Sequence, residues 1–344
     1  MSALARHPLQ SRMAAEAASA GEVLRAQLAA NRAQIEALAT RLRQSPPRLV
    51  ITCARGSSDH AATFAKYLIE QELGLPVVSF SPSLASLHGR GLGGPDTLFL
   101  AISQSGGSPD IVSATRHARA CGSLVAALVN VEDSPLADAA ECVIPLHAGP
   151  ETSVAATKSF IASLGALLQL VAAWKGGIDP LDELPAALVR SWSQDWDAPA
   201  GELAQTTSLY VVGRGLGLGT AQELALKFKE TCRIHAEAFS GAEVRHGPMA
   251  LVDSGFPVII LSQPDESRPG LQALGEEFVS RGARVFASGL DLPGAVALPD
   301  CGGAPMLAPL LTIQGCYKLV EAVARLRGLD PDAPPYLAKV TRTL

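Results

Sequence analysis

The sequence predicts an α/β protein with two tandem domains, each built on a doubly wound parallel sheet. Three observations lead to this prediction. The chain has 344 residues, more than one ordinary domain of about 100–200 residues needs. Apolar strand-like runs alternate with helical stretches, which is the order of βαβ units. The runs are continuously apolar, as in a sheet that helices cover on both faces.

The first half of the chain shows this alternation most clearly. Residues 13–45 are rich in Ala and Leu at steps of three and four, which predicts one or two amphipathic helices ending before Pro46 and Pro47. The predicted strands that follow are RLVITC, PVVSF, TLFLAIS, LVAALVNV and the weaker CVIPL. The predicted helices are AATFAKYLIEQEL, DIVSATRHARACG and SFIASLGALLQLVAAW.

The same pattern then starts a second time, which indicates two copies of one α/β unit. SLYVVGRGLGLGTAQELALKFKE resembles RLVITCARGSSDHAATFAKYLIE, PVIILSQPDES echoes TLFLAISQSGGSPD, and ARVFAS echoes LVAALVNV. The end of the chain is rich in proline and is predicted to be irregular and to wrap back over the body. The predicted divisions are an N-terminal helical segment over 1–46, a first domain over 47–192, a second domain over 193–329 and a C-terminal tail over 330–344.

Composition and charge exclude several classes of partner. The chain has 28 Lys and Arg against 33 Asp and Glu, a net charge of -5, so no basic surface for nucleic acid is expected. No run of about 18 apolar residues suggests a membrane span, and MSALARHPLQ has no apolar segment typical of a signal peptide. The 6 cysteines are scattered, which is typical of reduced thiols in a cytoplasmic protein. No metal site and no cofactor are expected.

Two polar loops follow predicted strands, where open parallel sheets bind ligands. The first, AISQSGGSPD (residues 101–110), combines hydroxyl, amide and glycine groups just before a helix, where backbone N–H groups and the helix dipole favour an anion. A plain turn with serine caps explains it equally well. The loop ARGSSDH has the same design, which favours a phosphate cradle of dipoles and hydroxyls instead of Lys or Arg. The polar groups of the two loops are Ser57, Ser58, Ser103, Gln104, Ser105 and Ser108.

The glycine run GRGLGLGT does not fit a dinucleotide site. Counted from Gly213 or Gly215, the last glycine of the G-x-G-x-x-G pattern would fall on Leu218 or Thr220. No acidic residue follows a second strand at the required distance, so a nicotinamide-dependent dehydrogenase is not expected. The chain also has no Walker A sequence.

A charged helix face is the densest functional stretch. Glu223, Lys227 and Glu230 lie at steps of four and three and share one face. A solvated salt-bridge ladder and a group that divides proton-transfer roles both fit this spacing. His235 and His246 follow in what is predicted to be a short loop region, and either could add an imidazole.

Several of these stretches together resemble a known family. ARGSSDHA, SQSGGSPD, ETSVAATKSF, ALKFKE, IHAEAFSGAEVRHGP and YLAK occur in this order and are similar to the sugar isomerase (SIS) proteins. The similarity is greatest to the isomerase half of glutamine–fructose-6-phosphate amidotransferase, and it covers about residue 13 to the end of the chain. It implies two SIS-type, flavodoxin-like domains without a cofactor.

The resemblance also implies which residues bind the substrate. The six polar residues of the two loops would bind the phosphate and hydroxyls of a hexosamine phosphate, with Ser108 in place of the family's threonine. Val154 and Ala338 would contact the same sugar. Ala156 stands where the family has a serine, so one hydroxyl contact of the family is missing.

The catalytic roles follow from the same resemblance. Glu230 would move a proton between C1 and C2, supported by Glu223 and Lys227. His246 would open the sugar ring and reach into the site of a neighbouring subunit, which implies a homodimer. Lys339 in the tail would form an imine with the ketose and complete the site.

The expected reaction is the isomerising deamination of glucosamine 6-phosphate to fructose 6-phosphate and ammonia. The chain has no counterpart of the family's glutaminase region, so it is expected to use only free ammonia, which is mostly protonated near neutral pH. The alternatives are ammonia-dependent synthesis, or other aminosugar or fructosamine phosphate chemistry. A non-catalytic sugar-phosphate regulator is a third reading, which the complete catalytic set disfavours. The gluco or galacto configuration of the sugar stays open.

Overall fold

The N-terminal segment is helical, as predicted, but it is divided more finely. The computed structural model describes residues 11–177 and 180–339; residues 1–10 and the predicted tail residues 340–344 lie outside these ranges. Within the described part, three helices replace the predicted one or two. They break at Ser19, whose hydroxyl donates to the Glu16 carbonyl, and at Asn31, whose buried amide donates to the Pro145 carbonyl. The helices are α1 (Arg12–Ala18), α2 (Ala20–Ala30) and α3 (Arg32–Gln44).

The first sheet has five parallel strands in the described residues, in the order β2-β1-β3-β4-β5. Every residue of its central strand β3 is buried, because helices cover both faces. The strands are β1 (Leu49–Cys53), β2 (Val77–Ser79), β3 (Thr97–Ser103), β4 (Leu124–Val129) and β5 (Cys142–Pro145). The helices are α4 (Ser57–Leu73), α5 (Pro82–His88), α6 (Pro109–Ala120), α7 (Pro135–Ala139) and α8 (Lys158–Lys175).

The second sheet repeats the first. Its five described strands lie in the order β10-β9-β8-β6-β7, so both sheets read 2-1-3-4-5 within their own half, the flavodoxin-like order. The predicted pair of doubly wound α/β domains is confirmed. The strands are β6 (Ser208–Gly213), β7 (His235–Ser240), β8 (Pro257–Leu261), β9 (Arg284–Ser288) and β10 (Val296–Leu298). The helices are α9 (Leu184–Trp192), α10 (Ala200–Leu203), α11 (Gly217–Cys232), α12 (Arg268–Ser280) and α13 (Ala308–Leu326), with short 3-10 turns at Pro180–Glu183, Glu243–Arg245 and Pro248–Leu251.

One stretch of the second half was predicted wrongly. His235 was expected in a loop, but it is the first residue of the edge strand β7, paired with Ser208 of β6. The preceding helix α11 ends at Arg233, which adopts a left-handed conformation with φ 54° and turns the chain into the strand. In HAEAFS polar and apolar residues alternate, a pattern typical of an edge strand with one side exposed to solvent.

The two halves share one apolar core, and the helices α4 and α11 meet in it. A Cβ at Gly219 would lie 2.5 Å from the carbonyl oxygen of His60, so only glycine allows this close approach. The contact brings the start of α4, which contains Ser57 and Ser58 of the ARGSSDH stretch, against the charged face of α11. No helix in the described ranges is long and apolar enough to cross a membrane. The domain limits, including the boundary at residue 192, stay predictions.

Candidate active site

A cavity of about 370 Å³ lies beyond the carboxyl ends of β1 and β3, a volume typical of small-molecule sites. It contains the substrate-binding residues that the sequence predicts. These are Ser57, Ser58, Ser103, Gln104, Ser105, Ser108, Val154 and Ala338. Two of the predicted catalytic residues, Glu230 and Lys339, line the same cavity.

The polar loops present two helix starts to this cavity. The N-cap residues of α4 and α6 make no side-chain cap hydrogen bond in the described structure, so these helix starts can contribute to anion binding. In α6 the Asp110 carboxylate already accepts from the Ile111 amide at 2.9 Å. The Ser103 and Ser105 hydroxyls accept from the amides of Gly106 (3.1 Å) and Gly107 (3.3 Å). Gly106 has φ 63°, and a Cβ there would lie 2.2 Å from the Ser134 hydroxyl. The loop therefore needs its glycine to hold this shape.

The cavity also has a cationic wall, which the predicted neutral cradle omitted. Arg55 lines it, and the guanidinium is 48% exposed. Its Nε and Nη2 both lie 2.9 Å from Oδ2 of the buried Asp110 at the start of α6. The ion pair fixes Arg55 at the mouth of the cavity, where it could meet a phosphate. ARGSSDH contains this arginine, but its partner lies in the other loop.

The charged face of α11 points inward. Glu223 and Lys227 are fully buried, and the Glu230 carboxylate is 22% exposed. Lys227 Nζ lies 2.5 Å from Glu230 Oε2 and 3.3 Å from Glu223 Oε1, and it donates to the Ser57 hydroxyl at 3.2 Å. The solvated salt-bridge ladder is thereby excluded. One ammonium instead links the Glu230 carboxylate to Ser57 of the ARGSSDH stretch.

The charges of this network are stable despite their burial. Burial alone would lower the pKa of Lys227, but the Glu223 and Glu230 carboxylates raise it above its usual value. Burial would likewise raise the pKa of Glu223, but Lys227 and the hydrogen bond from His60 lower it. Lys227 is therefore an ammonium, and Glu223 a carboxylate, at neutral pH.

Two partners of Glu223 were not foreseen. His60 Nδ1 lies 2.9 Å from Oε2, and the Tyr317 hydroxyl donates to Oε1 at 3.3 Å. Burial, followed by the Glu223 charge, raises the pKa of Tyr317 well above its usual value, so the phenol stays a donor. His60 is the last residue of the predicted polar loop ARGSSDH, whereas nothing in the sequence around Tyr317 indicated its contact.

The C-terminal tail forms part of the cavity wall through Ala338 and Lys339. Asp332 holds the tail at its start, because its carboxylate accepts from the amides of Arg12 (2.9 Å) and Met13 (2.8 Å). Its carbonyl accepts from the amide of Val154 at 3.1 Å. The tail is thereby attached both to α1 and to the loop before α8.

His246 neither lines the cavity nor bonds to the network of Glu223, Lys227 and Glu230 in the described structure. It is exposed, at the turn between the two 3-10 segments of residues 243–251, and it is absent from the cavity lining over the described ranges. Its role in a neighbouring subunit stays a prediction. No group of three His, Cys, Asp or Glu side chains in the described residues could hold a metal ion.

Sequence relatives of the chain include enzymes named glutamine–fructose-6-phosphate aminotransferase (isomerizing). The glutamine–fructose-6-phosphate aminotransferase (isomerizing) of Methanothermobacter thermautotrophicus is 36% identical over 308 residues, which cover 83% of this chain and 50% of that protein. The protein of the same name from Legionella pneumophila strain Lens is 35% identical over 311 residues, covering 84% and 50%. The chain thus spans about half the length of the curated relatives it matches.

Solved structures of similar proteins have the same fold as this chain. A protein of Silicibacter pomeroyi DSS-3 with the provisional description of phosphosugar isomerase has a TM-score of 0.87 and 41% identity, covering 94% of this chain and 100% of that one. The C-terminal domain of glucosamine-fructose-6-phosphate aminotransferase from Francisella tularensis has a TM-score of 0.86 and 25% identity, covering 96% and 100%. The model of the SIS domain matches residues 42–173 and 202–287, more than half of the chain, which therefore belongs to the SIS, or sugar isomerase, domain family.

Proposed function

We propose that this protein converts glucosamine 6-phosphate to fructose 6-phosphate and ammonia through a proton shift between C2 and C1. One feature carries the proposal: the Glu230 carboxylate and the Lys339 amine line the same serine-rich cavity. A carboxylate is needed for the proton shift and an amine for exchange at the carbonyl carbon. The names of the sequence relatives support a hexose 6-phosphate as substrate.

The phosphate would bind between the starts of α4 and α6. Hydroxyls of Ser57, Ser105 and Ser108 and the amides at the two helix starts that are not already bonded would donate to its oxygens. Arg55 at the mouth of the cavity adds a positive charge. This end of the substrate stays fixed while the reaction takes place at the other end.

Glu230 would act as the base and then as the acid. As a carboxylate it removes the proton from C2 of the open-chain aldose, and the resulting carboxylic acid returns the proton to C1. Lys227, which is held as an ammonium, contacts Glu230 at 2.5 Å and stabilises its charged form before the transfer. Ser57 bonds to the same ammonium at 3.2 Å, which couples the base to the phosphate loop.

Lys339 would carry the second half of the reaction. The proton shift leaves an imine of the substrate nitrogen at C2. The Lys339 ammonium gives a proton to the nitrogen of this imine, and the neutral amine that results adds to C2. Ammonia then leaves, so that the carbon is bound to the enzyme as a protonated lysine imine. Water then hydrolyses this imine, which gives fructose 6-phosphate and the free lysine.

The test is an assay of both products. Glucosamine 6-phosphate should give equal amounts of ammonia and fructose 6-phosphate, and galactosamine 6-phosphate, assayed in parallel, determines the epimer. Binding of the hexosamine phosphates without turnover in either direction would make the protein a sugar-phosphate regulator instead.

A second candidate is the reverse reaction, synthesis of glucosamine 6-phosphate from fructose 6-phosphate and ammonia. The names of the relatives favour it, because an isomerizing aminotransferase forms the amino sugar. Both directions use the same groups, so the pocket alone does not choose between them. Initial rates measured in both directions at physiological concentrations of ammonia decide.

We also expect His246 to act in the site of a second subunit. Glu230→Gln and His246→Ala should each be inactive alone, since each removes a group that every site needs. After mixing and exchange of subunits, about one quarter of the sites should regain both groups, because half of the dimers are mixed and each has one intact site. Activity that stays at the level of the separate variants would contradict a shared site.

A further inference from the structure

A buried acid behind the cavity has no role in the reaction described so far. Glu151 lies between β5 and α8, and its side chain is fully buried. Oε1 accepts from the amides of Thr157 (3.0 Å) and Ser159 (3.1 Å). Oε2 accepts from the Ser159 hydroxyl (2.7 Å) and from Lys339 Nζ (2.8 Å).

These four bonds leave Glu151 no capacity for the sugar. A carboxylate has about four acceptor positions on its two oxygens, and all of them are used by donors of the protein. Three donors belong to the loop of Glu151 and the first turn of α8. Only Lys339 comes from a distant part of the chain, 188 positions away. Of its bonding partners, only Lys339 is a group of the proposed reaction, so a direct effect of Glu151 on the chemistry acts through Lys339. The other three bonds shape the loop that carries Val154.

Glu151 also provides an attachment of the tail close to the cavity. Asp332 attaches the beginning of the tail to α1 and to Val154. Leu337, which lines the cavity, is 46% exposed, and Tyr336 is 97% exposed, so neither buries enough surface to fix the end of the tail. The contact of Lys339 with Glu151 therefore determines where the amine lies.

The charge of Glu151 is maintained at neutral pH. Burial alone would raise its pKa, but the Lys339 ammonium, the Ser159 hydroxyl and the Thr157 amide lower it below the ordinary value. The start of α8 also favours a negative charge at this point. A fixed, ionised acceptor is what a flexible lysine side chain needs to be held in one position.

We propose that Glu151 is a positioning residue that attaches the C-terminal tail and holds the Lys339 amine at the wall of the cavity. The inference rests on the proposed function, because that function assigns the attack on C2 to Lys339. It adds a requirement to that function: the amine reaches C2 only when the buried carboxylate holds it. The matched control is Ser159→Ala, which removes one hydrogen bond from the same carboxylate but leaves the contact with Lys339.

The first measurement needs no activity. Trypsin cleaves after Lys339, and mass spectrometry follows the rate. Glu151→Gln should raise this rate at least tenfold at a temperature where the body of the protein is folded, and S159A should leave it within about threefold. Equal rates in E151Q, S159A and the wild type would overturn the attachment of the tail.

The second measurement is borohydride trapping of fructose 6-phosphate on Lys339. We expect E151Q to lower the trapping rate and kcat at least tenfold, and to change KM by no more than about threefold, because the phosphate loops are intact. Glu151→Asp, which keeps the charge on a shorter side chain, should recover part of the trapping rate. S159A should resemble the wild type.

A double-mutant cycle separates this role from a general loss of stability. In a Lys339→Ala background, E151Q should lower the remaining activity no further, since the group through which it acts is already gone. Additive losses would overturn the inference and leave the proposed function standing. A wild type that neither traps fructose 6-phosphate nor turns over would overturn both, whatever the trypsin experiment gives.

Discussion

Replacing Glu230 by Gln is expected to lower kcat for glucosamine 6-phosphate by about 10³-fold, the middle of the range for a single general acid–base group. The amide keeps the shape of the side chain and an oxygen that can accept from Lys227, at 2.5 Å in the wild type. It cannot accept a proton from C2. Steady-state kinetics, together with the Kd for fructose 6-phosphate, check the expectation; the Kd should change by less than about threefold, because the serine loops bind the phosphate.

The matched control is Glu237→Gln. Glu237 is exposed on the edge strand β7 and is absent from the cavity lining, so the same chemical change there should leave kcat near the wild-type value. If E230Q retained more than about a tenth of the wild-type kcat, the proton shift would belong to another group. If E230Q lost sugar-phosphate binding as well, the carboxylate would be needed for the shape of the pocket.

The alternation of apolar strands and helices predicted the fold correctly because both sheets are parallel and helices cover both of their faces. In such sheets the strands that are apolar in sequence are also the strands that are buried in the structure. The edge strand β7 departs from this rule. It is solvated on one side, and its polar letters were interpreted as a loop with His235. Edge strands are the part of a parallel sheet where a continuous apolar run is not required.

The candidate site was predictable where its groups are close in sequence. The two serine loops and the face of α11 are each contained within a few turns of chain. The contacts between distant segments were not, because no local pattern encodes them. Arg55 and Asp110 are in contact but lie 55 positions apart in the sequence, and Glu151 and Lys339 lie 188 positions apart. The spacing of Glu223, Lys227 and Glu230 left both a solvated and a buried face open, and only the packing of α4 on α11 decides between them.

Replacing Lys227 by Met is expected to lower the free energy of unfolding at neutral pH by about 3–5 kcal/mol, the usual cost of breaking a buried ion pair from one side. Glu223 and Lys227 are both fully buried at 3.3 Å, so the carboxylate that remains cannot be solvated. Urea unfolding followed by circular dichroism measures the change. A decrease in the free energy of unfolding of less than about 1 kcal/mol would contradict this expectation and would mean that water reaches Glu223.

The loss in K227M should depend on pH with a definite sign. In the wild type the pKa of Glu223 is lowered from its ordinary 4.5, so its contribution to stability is present above that pH and is lost as the pH falls through the lowered value. Without Lys227, burial dominates and raises the pKa of Glu223 in the folded state. The buried charge therefore destabilises the variant at neutral pH, and Glu223 takes up a proton on acidification. The difference in the free energy of unfolding between variant and wild type should thus become smaller toward pH 4.5.

A second substitution identifies Glu223 as the origin of this loss. In K227M the Glu223 carboxylate has lost its lysine and keeps its contacts with His60 and Tyr317. Adding Glu223→Gln replaces this carboxylate with a neutral amide that can still bond to both, so about 2 kcal/mol should return at neutral pH. The pH dependence of the difference should disappear at the same time, because the titrating group is gone. Glu230 is 22% exposed and can be hydrated when Lys227 is absent. The contradicting outcome is that Glu230→Gln, added to K227M, restores the stability and E223Q does not. The charge that Lys227 neutralises would then be that of Glu230, the proposed catalytic carboxylate.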